Sequence, residues 1–454
     1  MSSCTLDVAS LKKLVQEKEE ELTKLRCELA AAEQRELYNQ YQALTPSLVE
    51  APRCQDAPRQ VLTHDEVGRY SRQMILNEIG MPGQLLLATA KVLIVGCGGL
   101  GCPAAMYLAA AGIGTIGLLD YDLVEISNLH RQVLHAENRV GVSKADSVIS
   151  ALRQLNSHVK LVPHKVVMDS SNALGIINGY DVVLDCTDNV ATRYLINDAC
   201  VLSKKPLVSG AALRWDGQLT VYNYQDGPCY RCMYPSPPDP DTVTNCSDGG
   251  VIGAVPGIIG SLQALETIKI ITKAGVVLSK ALLIFDGFRQ KSFTAKIRGK
   301  QPNCVVCSDS PTLTQLIDYA QFCGAVATDK DTDMNLLQSS QRISVTDYKN
   351  NFIDTNIPHV LLDIRQPVEL TICGLPDALN IPLRELNKPD CVQQIQFAMH
   401  KKAAKSLICV CRRGNDSQKA VDILSKSLDD CVVQDIIGGL TKWAQKIDPS
   451  MPIY

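Results

Sequence analysis

The sequence predicts an α/β protein: a doubly wound, mostly parallel sheet, then a smaller α/β unit, with a helix in front. Three observations predict it. Lys91 to Val95 (KVLIV) is a short β-branched apolar run of the kind that becomes a buried parallel strand, and a glycine-rich turn follows it directly. Similar runs at Thr115 to Asp120, Val182 to Asp185 and Pro206 to Ser209 alternate with helical stretches such as 103–111. The alternation restarts near Val360 to Asp363 and Leu407 to Val410.

The elements can be taken in order. Residues 10–44 carry a heptad stripe of Leu11, Val15, Lys18, Leu22, Leu25, Leu29, Ala32 and Glu36, two of its positions charged. This predicts a surface helix in preference to a coiled coil. Pro46, Pro52 and Pro58 mark a linker. The stretch Val251 to Ile271 is apolar, but Ser261, Gln263, Glu266 and Lys269 interrupt it. It reads as a buried helix, not a membrane span. Ser308 to Gln341 is polar and reads as a linker. The expected organisation is a helix and linker over 1–60, a first α/β domain over 61–310, a linker over 311–342 and a second α/β domain over 343–454.

Composition limits the function. The 454 residues are 46% hydrophobic and 20% charged, with a net charge of −3, which excludes disorder throughout and a broad polyanion-binding surface. Aromatics are only 5%, so stacking platforms for single strands are not expected. The N-terminus lacks the basic start and apolar run of a signal peptide, so the expected compartment is the cytosol. There the eighteen cysteines are better read as ligands or nucleophiles than as cross-links.

The turn Gly96-Cys97-Gly98-Gly99-Leu100-Gly101 lets a phosphate approach the backbone and the amides that open the next helix. Asp120 follows at the end of the next strand, where an acidic group can hold ribose hydroxyls. By itself this is a dinucleotide fingerprint, and a dehydrogenase is the first hypothesis. The segment Ser127-Asn128-Leu129-His130-Arg131-Gln132, then Lys144 and the strand end Asp188-Asn189, shift the balance. Two cations and a carboxylate beside one pocket suit a nucleoside triphosphate with Mg²⁺.

These motifs together resemble the adenylating enzymes of the ubiquitin-activating superfamily, in the MoeB/ThiF branch, from about Asp65 to Asp309. The resemblance implies that Gly99, Asp120, Ser127, Asn128, Leu129, His130, Arg131, Lys144, Asp188 and Asn189 bind ATP. His130 stands where the family usually has glutamine. Arg72 matches an arginine that reaches the partner subunit's nucleotide, so a homodimer is implied, and the glycine-bearing helix 253–273 is a candidate contact.

Cys229-Tyr-Arg-Cys232 and Cys304-Val-Val-Cys307 are two CxxC hooks. Four thiolates fill a tetrahedral zinc shell and leave no position for water, so such a metal is structural. A redox dithiol is the alternative for either pair. The resemblance favours one structural zinc per chain. Cys246 lies in a polar loop after a proline-rich stretch and, on its own, reads as an ordinary loop cysteine. The resemblance makes it the candidate for a covalent link to a carrier's C-terminus, or for resolving one.

Cys411-Arg-Arg-Gly-Asn-Asp-Ser417 joins an apolar strand to a helical run over Gln418 to Ser425. Loop amides and a helix N-terminus around a sulfur predict a depressed thiol pKa and a persulfide-bearing site. Cys409 is expected on the opposite strand face, in the core. The loop resembles a rhodanese active site, with Asp363, Ala378 to Pro382 and Gly438 to Trp443 as further landmarks over 343–454. A phosphatase loop would end in arginine, whereas position 417 is serine.

The fusion resembles the adenylyltransferase and sulfurtransferase family of molybdenum cofactor synthesis and tRNA thiolation. That implies ATP-dependent adenylation of the C-terminal Gly-Gly of small ubiquitin-like sulfur carriers, then sulfur transfer from Cys411 to give a thiocarboxylate. The sulfur comes from a cysteine desulfurase, and neither a membrane nor direct tRNA binding is expected. A conjugating activator acting through Cys246 alone, or a non-catalytic scaffold, are the other readings.

Overall fold

The computed structural model describes residues 61–239, 249–324, 336–428 and 431–454. The expected N-terminal helix and Cys246 lie outside them.

Two helices lead in, α1 (His64–Met74) and α2 (Gly80–Thr89). Thr63 and Glu66 close a capping box at the start of α1. Then come β1 (Lys91–Val95), α3 (Gly101–Ala111), β2 (Thr115–Leu119), α4 (Lys144–Leu155), β3 (Lys160–His164), α5 (Ala173–Ile177), β4 (Val182–Asp185) and α6 (Val190–Leu202). The unit continues with β5 (Leu207–Leu213), β6 (Asp216–Tyr222), α7 (Tyr230–Met233), α8 (Ala254–Thr272), β7 (Ala281–Asp286), β8 (Lys291–Lys296) and α9 (Tyr319–Cys323).

The strand order is β3-β2-β1-β4-β5-β6-β7-β8. The first five strands are parallel, and the last three attach antiparallel. The antiparallel extension was not foreseen, because β8 is exposed along its whole length and shows no buried alternation. β3 also escaped notice: it contains Pro163, which is tolerated because β3 is an edge strand.

Alternation along β1 builds two cores. Val92 and Ile94 pack with α3, α4 and α8 on one face. Leu93 and Val95 pack with α5, α6 and α9 on the other. This is the doubly wound layering expected from the apolar runs. Helix α8 is long and apolar enough to cross a membrane by length and composition alone. In the structure it packs on α3, β5 and β6, and its buried Gln263 donates to the carbonyls of Asp185 (2.8 Å) and Val208 (3.1 Å). It is a core helix, as its interrupting polar residues suggest.

The second unit holds β9 (Arg342–Ile343), α10 (Val345–Tyr348), β10 (Val360–Asp363), α11 (Pro367–Leu370), β11 (Leu379–Asn380), α12 (Pro389–Lys401), β12 (Ser406–Val410), α13 (Asp416–Leu424), β13 (Val432–Ile436) and α14 (Gly439–Lys446). Its parallel sheet runs β11-β10-β12-β13-β9. The expectation for Cys409 needs correction. Cys409 packs in the same cluster as Cys411, while Ile408 and Val410 face the other core. The period of two puts residues i and i+2 on one face.

Candidate adenylating and sulfur-transfer sites

A cavity of about 1000 Å³ opens at the carboxyl ends of β1, β2 and β4, between Gly98, Gly99, Asp120, Arg131, Lys144 and Asp188. Strand ends on either side of a reversal in strand order are where such sheets bind ligands. The glycine turn is held by close approaches. A Cβ on Gly101 would lie 1.9 Å from the Gly96 carbonyl oxygen, and Gly96 itself has φ +97°.

Asp120 is buried, and its carboxylate accepts from the amides of Cys97 and Asp122, both at 2.8 Å. Burial raises its pKa, and nearby Lys144 pulls the other way. Lys144 opens α4, whose N-cap is Ser143, and its ammonium donates to Asp122 at 2.9 Å. Burial works against its charge, but Asp120, Asp122 and Asp188 together raise its pKa above the usual lysine value. Arg131 donates to the Asn128 side chain (2.9 Å) and to the Ser127 carbonyl (3.2 Å). Asn189 caps α6, its side chain accepting from the amide of Thr192.

Gly99, Asp120, Asn128, Arg131, Lys144, Asp188 and Asn189 all line the cavity. Ser127, Leu129 and His130 are not among its lining residues, although His130 contacts Arg131 at 2.8 Å. Arg72 is exposed in the last turn of α1, outside this chain's cavity. Arg193 also lines the cavity and carries no motif signal. Its Nε lies 2.9 Å from Asp185, and it donates to the carbonyls of Thr187 and Gly210. Gln132 lines the same cavity, and its buried side-chain oxygen has no hydrogen-bond partner among the described residues. Glycine backbone amides and paired cations fit a polyphosphate nucleotide, with Asp188 free of the capping role its neighbour Asn189 has.

The four hook cysteines converge. Their sulfurs lie 3.8 Å (Cys229 to Cys232), 3.6 Å (Cys229 to Cys304) and 3.4 Å (Cys232 to Cys307) apart. A tetrahedron with metal–sulfur bonds of about 2.3 Å has sulfur–sulfur edges of about 3.8 Å, so the set fits a thiolate-bound metal ion. It is the one such cluster among the described residues. Arg231, inside the first hook, pairs with Asp198 on α6 through both Nε (2.9 Å) and NH2 (2.8 Å), and Tyr319 donates to the same carboxylate at 2.7 Å. Cys246 lies outside the described residues.

In the second unit Cys411 follows β12. Its sulfur accepts from the amides of Gly414 (3.1 Å) and Ser417 (3.4 Å) and donates to the Ser417 hydroxyl. Ser417 in turn donates to Asp435, which is ion-paired with Arg342. The loop is pinned to the Gly438-Gly439 turn: a Cβ on Gly439 would meet the Cys411 carbonyl oxygen at 2.3 Å. Asp363 holds Arg365 through Nε and NH2. The expected depression of the Cys411 pKa is not found. Burial is the largest influence and raises it, while Ser417 and the loop amides only oppose that rise. The cradle of loop amides around the sulfur is nonetheless built.

A glycine-rich cleft and a thiolate cluster in the first unit and a sulfur cradle on a second sheet define a class: an activating enzyme coupled to a sulfurtransferase. The ThiF family matches residues 70–306, and a rhodanese-like domain matches residues 344–446. The chain belongs to the ThiF family, and it is an adenylyltransferase and sulfurtransferase.

It is similar to "Adenylyltransferase and sulfurtransferase MOCS3" of Mus musculus, 50% identical over 99% of each chain. It is also similar to the protein of that description from Drosophila ananassae, 55% identical over 87% of this chain and 86% of the relative. Among solved structures it is similar to E. coli MccB with ATP, 25% identical with a TM-score of 0.47, over 53% of this chain and 74% of the other.

Proposed function

We propose that this enzyme adenylates the C-terminal Gly-Gly of small ubiquitin-like sulfur carriers and converts it to a thiocarboxylate, serving molybdopterin synthesis and 2-thiolation of tRNA wobble uridine. The observation that carries the reading is the joining in one chain of an anion-binding cleft and the Cys411 sulfur cradle.

The carrier carboxylate attacks the α-phosphorus of ATP, and the bond to the pyrophosphate oxygen breaks. Arg131 and Lys144 neutralise phosphate charge, and Asp120 orients the ribose. Asp188 is the residue to hold Mg²⁺, which supplies charge neutralisation to the leaving pyrophosphate. Arg72 is assigned to the nucleotide of the partner in a homodimer. Ser127, Leu129 and His130 act by carrying Asn128 and Arg131 into place.

The terminal sulfur of a persulfide on Cys411, loaded by a cysteine desulfurase, attacks the acyl carbon, and AMP leaves. The Cys246 thiolate then attacks the Cys411 sulfur. The sulfur–sulfur bond to the carrier breaks, its electron pair leaves with the thiocarboxylate, and a Cys246–Cys411 disulfide remains for a cellular dithiol to reduce. The four hook cysteines hold structural zinc, and we place the reaction in the cytosol without direct tRNA contact.

The test is the intact mass of a Gly-Gly-ended carrier after incubation with the enzyme, Mg-ATP and a persulfide source. A gain of about 16 mass units, one oxygen replaced by sulfur, is expected. Cys411→Ala should abolish that gain while pyrophosphate release continues. A gain that survives Cys411→Ala overturns the assignment of the sulfur site.

A further inference from the structure

The sulfurtransferase loop contributes to more than its own site. Arg413 lines the adenylating cavity together with Gly99, Lys144 and Asp188. It also lines a cavity of about 390 Å³ beside the Cys411 loop, with Arg342, Asn415 and Lys442. One side chain is therefore common to the walls of both sites.

The backbone that carries it is fixed on both sides. Before it, the carbonyls of Cys411 and Arg412 accept from the amides of Leu440 (3.0 Å) and Thr441 (2.9 Å). After it, Gly414 has φ +85° and donates its amide to the Cys411 sulfur, and a Cβ there would lie 2.5 Å from the Gly438 amide nitrogen. These anchors fix the backbone on either side of Arg413. Meanwhile the sulfur is held by Gly414 and Ser417, so its cradle is built from other groups. A guanidinium is permanently charged, and its planar fork of donors matches phosphate oxygens.

We infer that Arg413 is a binding residue of the adenylating site, recognising phosphate of the bound nucleotide from the sulfurtransferase loop. This rests on the reading of the cavity as an ATP site. Nucleotide phosphate then holds the Cys411 loop against the cleft in which the acyl-adenylate forms, so filling the first site aligns the second.

The test uses the full-length protein and its Arg413→Ala and Arg413→Lys variants. Binding of a non-hydrolysable ATP analogue with Mg²⁺ is measured by calorimetry, and ATP–pyrophosphate exchange by KM and kcat with a Gly-Gly-ended carrier. Losing one charge-assisted contact should raise the Kd and the KM for ATP about ten-fold in Arg413→Ala. Arg413→Lys should recover part of the loss, with both variants melting at the wild-type temperature. Equal ATP affinity in wild type and Arg413→Ala overturns the inference alone. Failure of the wild type to bind the analogue overturns both the inference and the ATP-site reading.

Discussion

Single residues here carry long-range consequences. His135 is buried beside the glycine loop, bonded to the Ser147 hydroxyl (2.9 Å) and the Cys97 carbonyl (3.0 Å). Burial lowers its pKa to about 4 from an ordinary 6.5. The unfolded chain therefore takes up the proton first as pH falls. The contribution of a neutral His135 is present above the unfolded value and is lost as pH drops toward the folded one. The melting temperature should fall between about pH 6.5 and pH 4, and scanning calorimetry of His135→Gln should show a shallower fall. A slope unchanged in the variant would assign the acid sensitivity to other groups.

The same scale shows what was legible in the sequence and what was not. The glycine turn, the hooks and the Cys411 loop are local: each is a short run whose chemistry is set by spacing. Arg193 was invisible because its place at the cavity depends on Asp185 and the Thr187 carbonyl at one strand end and on the Gly210 carbonyl of β5. The acidity of Cys411 was misjudged for a similar reason. Amides close in sequence pull it down, while burial assembled from the whole second core pushes it up.

At the level of elements, the first hook is tied to α6 by the buried Arg231–Asp198 pair, both side chains almost fully enclosed. Removing one partner leaves an uncompensated charge. Asp198→Asn should cost about 3–5 kcal/mol in chemical denaturation, more than an exposed pair such as Lys280–Asp226 could account for. Tyr319 and Arg231 should then compete for the one side-chain oxygen that remains, so the segment after the second hook loosens with it. The parallel strands β1, β2, β4, β10 and β12 were legible because each is an apolar run buried on both faces. Strands β6 to β8 were not, because their pairing is set by partners distant in sequence. A Cβ on Gly101 has no room, so Gly101→Ala should destabilise by about 3 kcal/mol and remove ATP–pyrophosphate exchange.

For the whole molecule, the two sheets have cores that share no residue among the described clusters. Two calorimetric transitions are expected. A zinc chelator should lower the transition of the adenylating unit by about 10 °C or more and leave the other in place, since only the first unit carries the thiolate cluster. A single transition that moves as one with chelation would show instead that the units unfold together. The doubly wound architecture was legible as a rhythm of apolar runs. That Arg413 of the second unit lines the first unit's cavity was not, because no local pattern encodes a cavity wall drawn from separate units.

The tight glycines bear on heredity. Gly101 stands against the Gly96 carbonyl in one reactive loop, and Gly439 against the Cys411 carbonyl at the other. Any single-base change in a glycine codon that replaces the residue adds at least one carbon where a backbone oxygen already sits. Alleles that disable the enzyme should therefore gather at these codons, whose residues line neither cavity, as readily as at those of Lys144 or Cys411.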